Sequence, residues 1–153
     1  MSAETTEQFD QGQADRERFG FLVNPDLTYR RIVFADDTAR ETLGGMTGEV
    51  VDVAFDQDGN RFHAIFRPDA VQHGAEPNPV ASLARNTAET DNPEFLTDPT
   101  RAISGPVIFT ARDGASVDER TIDKVLQAIR AVENYRDDNA EEFELWRSAV
   151  KNR

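Results

Sequence analysis

His63 and His73 are the only histidines, the side chains best suited to proton transfer near neutral pH, and there is no cysteine at all. The missing thiols exclude disulfides, thiolate zinc sites, iron–sulfur clusters and a cysteine nucleophile together. No His-x-x-x-His pair exists, and a zinc site would need carboxylate partners that no spacing identifies. Asp56-Gln-Asp58-Gly59-Asn60 has the acid density of a calcium loop. Such a loop needs glycine at its sixth position and glutamate at its twelfth, and those places hold Arg61 and Arg67. A hairpin turn accounts for these residues instead. Gly44-Gly45 with Gly48 follows a helical stretch rather than opening one, so its amides would not converge on a phosphate. No Gly-x-Ser-x-Gly elbow, Walker loop or dinucleotide glycine fingerprint is present. No catalytic residue, metal or cofactor is therefore expected.

The elements that must position any site belong to one domain, since 153 residues suit a single core. Against 17 Lys plus Arg stand 29 Asp plus Glu, a formal charge of −12. That sign argues against sequence-blind nucleic-acid binding, which needs cations to displace counterions from phosphate. The densest excess, −5, falls in residues 68–100, where six acids face Arg85 alone. Arginine outnumbers lysine 15 to 2, which fits a GC-rich genome better than a salt-loving host. No apolar run approaches the roughly 20 residues that span a bilayer, and the first residues lack a signal pattern. A soluble cytoplasmic protein is the expectation.

Residues 1–18 hold little that could enter a core and read as a disordered acidic tail, leaving 19–153 as the domain. An apolar run from Phe19 to Val23, a turn at Asn24-Pro25-Asp26 and an alternating run from Tyr29 to Phe34 predict a first hairpin. Asp36 or Asp37 would cap a short helix ending at Leu43, before Gly44-Gly45. Strands over 49–55 and 61–66 flank Asp58-Gly59, the strongest hairpin signal in the chain. On the second of them Phe62, Ala64 and Phe66 form the core face; Arg61, His63, Ile65 and Arg67 share the other. Residues 68–100 read as mostly irregular, with a short helix near 80–84 opened by Pro79. A strand over 104–110 follows, then Asp113-Gly114. Ile122, Val125, Leu126, Ile129 and Val132 predict an amphipathic helix over 117–135. Phe143, Trp146 and Val150 predict a last helix, acidic at its start and basic at its end, as its dipole favours.

This order of motifs resembles DUF3846, a family of small phage, plasmid and bacterial domains with no assigned function. The resemblance rests on Phe21-Leu-Val-Asn-Pro25, Leu43-Gly-Gly45, Gly48-Glu49-Val-Val, the Asp-Gly hairpin, Asn78-Pro-Val-Ala81 and Ile103-Ser-Gly-Pro-Val-Ile-Phe109. It covers roughly residues 19–110. It implies a mobile-element origin and singles out Glu49 and Asn78 as polar positions, but it brings no cofactor, substrate or catalytic role.

The resulting expectation is an α+β domain, a mainly antiparallel sheet of about five strands with helices on one face and two C-terminal helices. Its function is read as a non-enzymatic protein-interaction module, contacting a partner through residues 68–100 or the helix face around Leu145 and Trp146. The rival is a small-ligand binder or enzyme whose polar site gathers Glu49, His63, Asn78 and Arg85. A third reading, an acidic DNA mimic, would require carboxylates along one continuous face.

Overall fold

The computed structural model describes residues 17–43, 49–57, 59–90 and 98–152. Apart from residues 17 and 18, the expected acidic tail lies outside the described residues, as do Gly44-Gly45, Met46 and Gly48. Among the described residues there are five strands: β1 (Arg18–Val23), β2 (Tyr29–Phe34), β3 (Val51–Gln57), β4 (Asn60–Phe66) and β5 (Val107–Thr110). Four α-helices among the described residues accompany them: α1 (Asp36–Thr42), α2 (Pro79–Thr90), α3 (Glu119–Asp138) and α4 (Ala140–Lys151). The architecture is α+β.

All strand pairs are antiparallel, in the order β2-β1-β5-β4-β3. Two local hairpins form the flanks, and β5, the last strand in the chain, lies between them. Gln57 pairs with Asn60, which leaves a two-residue connection with Gly59 at φ +75°, as the Asp-Gly signal predicts. The first hairpin turns more tightly than its proline suggests. The Leu27 and Asn24 amides donate to the Asn24 and Thr28 carbonyls, both at 2.9 Å, and the Thr28 hydroxyl donates to Asp26 Oδ1 at 2.6 Å. Leu27 takes a left-handed φ of 74° there although it is not glycine. Its side chain is buried in the main core, and that packing offsets the roughly 1–2 kcal/mol of backbone strain.

Alternation sends each strand's side chains to both faces, and both faces are covered. On one, Phe21, Val23, Phe62, Phe66, Val107 and Phe109 pack against α2, α3 and α4. On the other, Leu22, Phe34, Ile65 and Ile108 pack with Ala39 and Leu43, from α1 and the residue that follows it. Ile65, expected on a polar face, is thus buried in a second, smaller cluster. Gly20 is required on that face. A Cβ there would lie 2.5 Å from Ile108 Cγ2 and 2.7 Å from the Phe34 ring. The cap of α1 also differs from expectation: Thr38 Oγ1 accepts from the Ala35 amide at 2.8 Å, so the helix starts after Ala35 rather than on an aspartate cap.

The chain between 68 and 100 is more ordered than its prolines suggest. A 3-10 turn covers Ala70–His73, and α2 runs on to Thr90, well past the predicted 80–84. Three of its described acids are answered by bases, and the fourth, Asp98, accepts from the Thr100 amide and hydroxyl. Asp69 pairs with Arg67 and His73, Glu89 with Arg101, and Glu76 with Arg147 and Lys151 of α4. Hydrogen bonding from Lys151, reinforced by Arg147, holds the Glu76 carboxyl below its ordinary value against partial burial. A depressed carboxylate contributes stability that is present above its unfolded value and lost as pH falls through the folded one. Glu76→Gln should therefore flatten the acid limb of the stability profile while changing little at neutral pH, where this half-exposed network is screened. Urea midpoints from roughly pH 3 to 7 test this; an unchanged acid limb would contradict it.

Candidate functional site

The four polar residues singled out by sequence do not converge. Glu49 is exposed on the chain leading into β3. His63 lies on the α1 face of the sheet, while Asn78 and Arg85 belong to the opposite face with α2.

His63 has part of the geometry of an oriented base. Its Nδ1 lies 2.8 Å from Asp52 Oδ1, the arrangement that fixes an imidazole tautomer in catalytic pairs. Its Nε2, the atom that would take a proton, accepts instead from the Asp113 amide at 3.2 Å. Nδ1 is therefore the protonated nitrogen and both ring atoms are engaged. The residue pins the 112–114 turn, where Asp113 has φ 61°, onto β4. His73 is exposed beside Asp69 at 3.2 Å.

Asn78 is wholly buried and bonds only to backbone. Its Nδ2 donates to the Val23 and Gly105 carbonyls, both at 3.0 Å, and its Oδ1 accepts from the Ala81 amide at 3.1 Å. It caps α2 and ties that helix to the end of β1 and the chain entering β5. This is a structural role. The pair proposed for α4 divides in the same way. Leu145 is 70% exposed, whereas Trp146 is buried in the main core, because 143, 146 and 150 share the helix face that meets the sheet.

Arg85 does line a cavity. A cleft of about 240 Å³ opens between the outer strand β3, the end of β4, α2 and residues 100–104. Val51, Val53, Phe66, Val71 and Ile103 supply apolar walls; Arg67, Arg85 and Ser104 supply polar groups. Arg85 enters from α2, its guanidinium 5.4 Å above the Phe66 ring and its Nη1 donating to the Arg101 carbonyl at 3.1 Å. Burial, with Arg101 nearby, pushes its pKa down. Its Nε is buried and makes no hydrogen bond among the described residues. Ser104 is 5% exposed, and its Oγ likewise has no hydrogen-bond partner there.

The charges around the cleft nearly cancel. Arg67 pairs with Asp69 at 3.3 Å, and Arg101 Nε donates to Glu89 Oε1 at 3.2 Å. Arg85 faces a backbone carbonyl and an aromatic ring, so among the described residues one positive charge is left over. Sequence reasoning found Arg85 as the lone base of an acidic segment. It gave Arg67 and Ser104 no site role, because only the paired β4 and the chain entering β5 bring them beside Arg85.

Two other cavities are less suited. A slot of about 250 Å³ between α2 and α3 is walled chiefly by apolar side chains. A larger hollow of about 550 Å³ beside the first hairpin is lined by prolines and by Glu76, Glu144 and Arg147, which already pair with one another. Among the described residues, no three His, Asp or Glu gather in a way that could hold a metal, and no helix is long and apolar enough to cross a membrane. No family model, curated protein or solved structure matches this chain.

Proposed function

We propose that the protein is a non-enzymatic binding module that holds a small anion in the cleft formed by β3, α2 and Ser104. The observation carrying this reading is the half-buried Arg85 guanidinium in the cleft wall, which meets a backbone carbonyl and an aromatic ring and leaves one positive charge over among the described residues. Partial burial disfavours the charged form of this guanidinium, and an anion in the cleft offsets that cost. The reading is non-enzymatic because the oriented histidine is engaged elsewhere, His63 by Asp52 and the Asp113 amide. The motif order that resembles DUF3846 adds no ligand, since that family carries no assigned chemistry.

Thermal unfolding at constant ionic strength in phosphate, sulfate, acetate and benzoate tests it. One class should raise Tm by about 5–10 °C at a hundredfold excess over Kd. Arg85→Gln should remove most of that rise. If no anion shifts Tm, the reading fails.

A second reading, a protein partner, is favoured by one surface. Phe19, Tyr29 and Val33 are each about half exposed on the same face of β1 and β2, beside the outer edge of β2. That edge carries Arg30 and Arg31 on a chain that is otherwise strongly acidic. It suits an extended segment of alternating apolar and acidic residues that adds as a further strand. Titrating a Val/Glu-alternating peptide should move the amide resonances of residues 29–34; stationary amides would dismiss this partner.

A further inference from the structure

We infer that residues 111–117 are a proton-sensitive latch, held on β4 by neutral His63 and released when a proton reaches its Nε2. The latch is separate from the anion cleft, which opens on the opposite face of the sheet.

The fastening on β4 is the imidazole. Its Nδ1 lies 2.8 Å from Asp52 Oδ1, and its Nε2 accepts from the Asp113 amide at 3.2 Å. With Nδ1 already protonated, a second proton has only Nε2 to occupy. Nε2–H would then face the Asp113 N–H, donor against donor, so this contact does not survive protonation. The Asp52 contact does survive it, because a charged ring donates to a carboxylate more strongly than a neutral one. Proton uptake therefore keeps the ring in place and frees the turn.

The neighbouring charges do not restore the lost bond. On β3, Ala54 stands opposite His63, with Asp52 and Asp56 to either side on the same face. Asp56 is taken up by Arg61 through bonds of 2.9 and 3.1 Å. On β5 the residue opposite is the uncharged Thr110. From the turn, Arg112 lies near Asp56 and Asp113 near Arg61. Bringing the Asp113 carboxylate to Nε2 would displace the amide that now occupies that place.

The released segment is a compact unit. The Gly114 and Ala115 amides donate to the Ala111 and Arg112 carbonyls, both at 3.2 Å, and the Ala111 amide donates to the Ala115 carbonyl at 3.0 Å. Its far end holds β1. Ser116 Oγ accepts from the Phe19 amide at 3.0 Å, and the Val117 amide donates to the Phe19 carbonyl at 2.9 Å. Freeing the unit at Asp113 thus loosens the exposed end of β1, where Phe19 pairs with Val33.

NMR titration of the full chain over roughly pH 5 to 8, following the imidazole rings and the amides, tests the latch. The Asp113, Val117 and Phe19 amides should all move with the midpoint of the His63 ring. Protection of the Val117 amide from hydrogen exchange, corrected for its intrinsic rate, should fall roughly fivefold on the acid side. His63→Gln, neutral throughout, should abolish the shared midpoint. Asp113→Asn keeps the amide and tolerates left-handed backbone but removes the carboxylate, and it should leave the response in place. Amides that ignore the His63 midpoint would overturn the latch, as would an Asp113 shift that leaves Val117 and Phe19 unmoved. A response that persists in His63→Gln, or vanishes in Asp113→Asn, would overturn it as well, because the amide bond to Nε2 would not be carrying it.

Discussion

Replacing Asn78 by alanine is expected to remove about 3–5 kcal/mol of folding stability, a large share of the 5–15 kcal/mol typical of a domain. The side chain has no exposed surface and makes three hydrogen bonds to backbone in three separate parts of the chain. Alanine leaves the Val23 and Gly105 carbonyls and the Ala81 amide buried without this partner. Each such loss costs about 1–3 kcal/mol, and the cap alone contributes about 1. Asn78→Asp separates the two roles. It keeps an oxygen for the Ala81 amide but turns the Nδ2 donors into an acceptor facing two carbonyls, so it should be no better than alanine. Urea unfolding reads both variants as a lower midpoint at similar slope. A loss below about 1 kcal/mol for alanine would show that the backbone groups find other partners.

Phe109→Ala should cost a similar amount, about 3–5 kcal/mol. Phe109 is fully buried on β5, the central strand, with its ring 6.0 Å from that of Phe62. Ala64 pairs with it on one side and Phe21 on the other, so the residue fills the seam where the two hairpins meet. Strands hydrogen-bonded on both sides have little freedom to collapse into the vacated volume, which places the cost at the upper part of the range. Phe109→Leu retains most of the volume and should cost less than half as much. Equal losses for the two variants would mean that the aromatic ring, rather than filled volume, stabilises the seam.

Individual residues show how far a sequence reading reaches. Phe62, Ala64 and Phe66 lie on the core face as strand alternation requires, and Ile122, Val125, Ile129 and Val132 lie on the core face as helical spacing requires. Gln57 pairs with Asn60 across the expected turn, where Gly59 has positive φ. Ile65 was misplaced because alternation identifies two faces without saying that both are covered; α1, only seven residues long, covers the second. Trp146 was offered as a contact for a partner, yet the same i, i+3, i+7 spacing that predicted its helix also places it inward.

The candidate site was less legible, for a related reason. Arg85 stood out as the one base in an acidic stretch, but a charge has no meaning without its neighbours. Arg101, Phe66 and Ser104 supply them from 16, 19 and 19 residues away along the chain. His63 appeared solvated or bonded; only the turn beyond β5, fifty residues on, shows which atom closes its second nitrogen.

By itself the sequence determined the kind of the described strands and α-helices, the second hairpin turn, the inward stripes of the long helices and the absence of thiol chemistry. These follow from side-chain period, backbone restriction and atom inventory, which act within a few residues. The tertiary structure decided that the last strand sits in the middle of the sheet, that the sheet has two cores, and that Asn78 fastens three segments together. It also answered Asp69, Glu76 and Glu89 with Arg67, Arg101, Arg147 and Lys151 from outside that stretch, and set the Arg85 guanidinium in the wall of a cleft. Each of these depends on groups far apart in the chain, brought together only when burial and hydrogen bonding across the whole domain are satisfied at once.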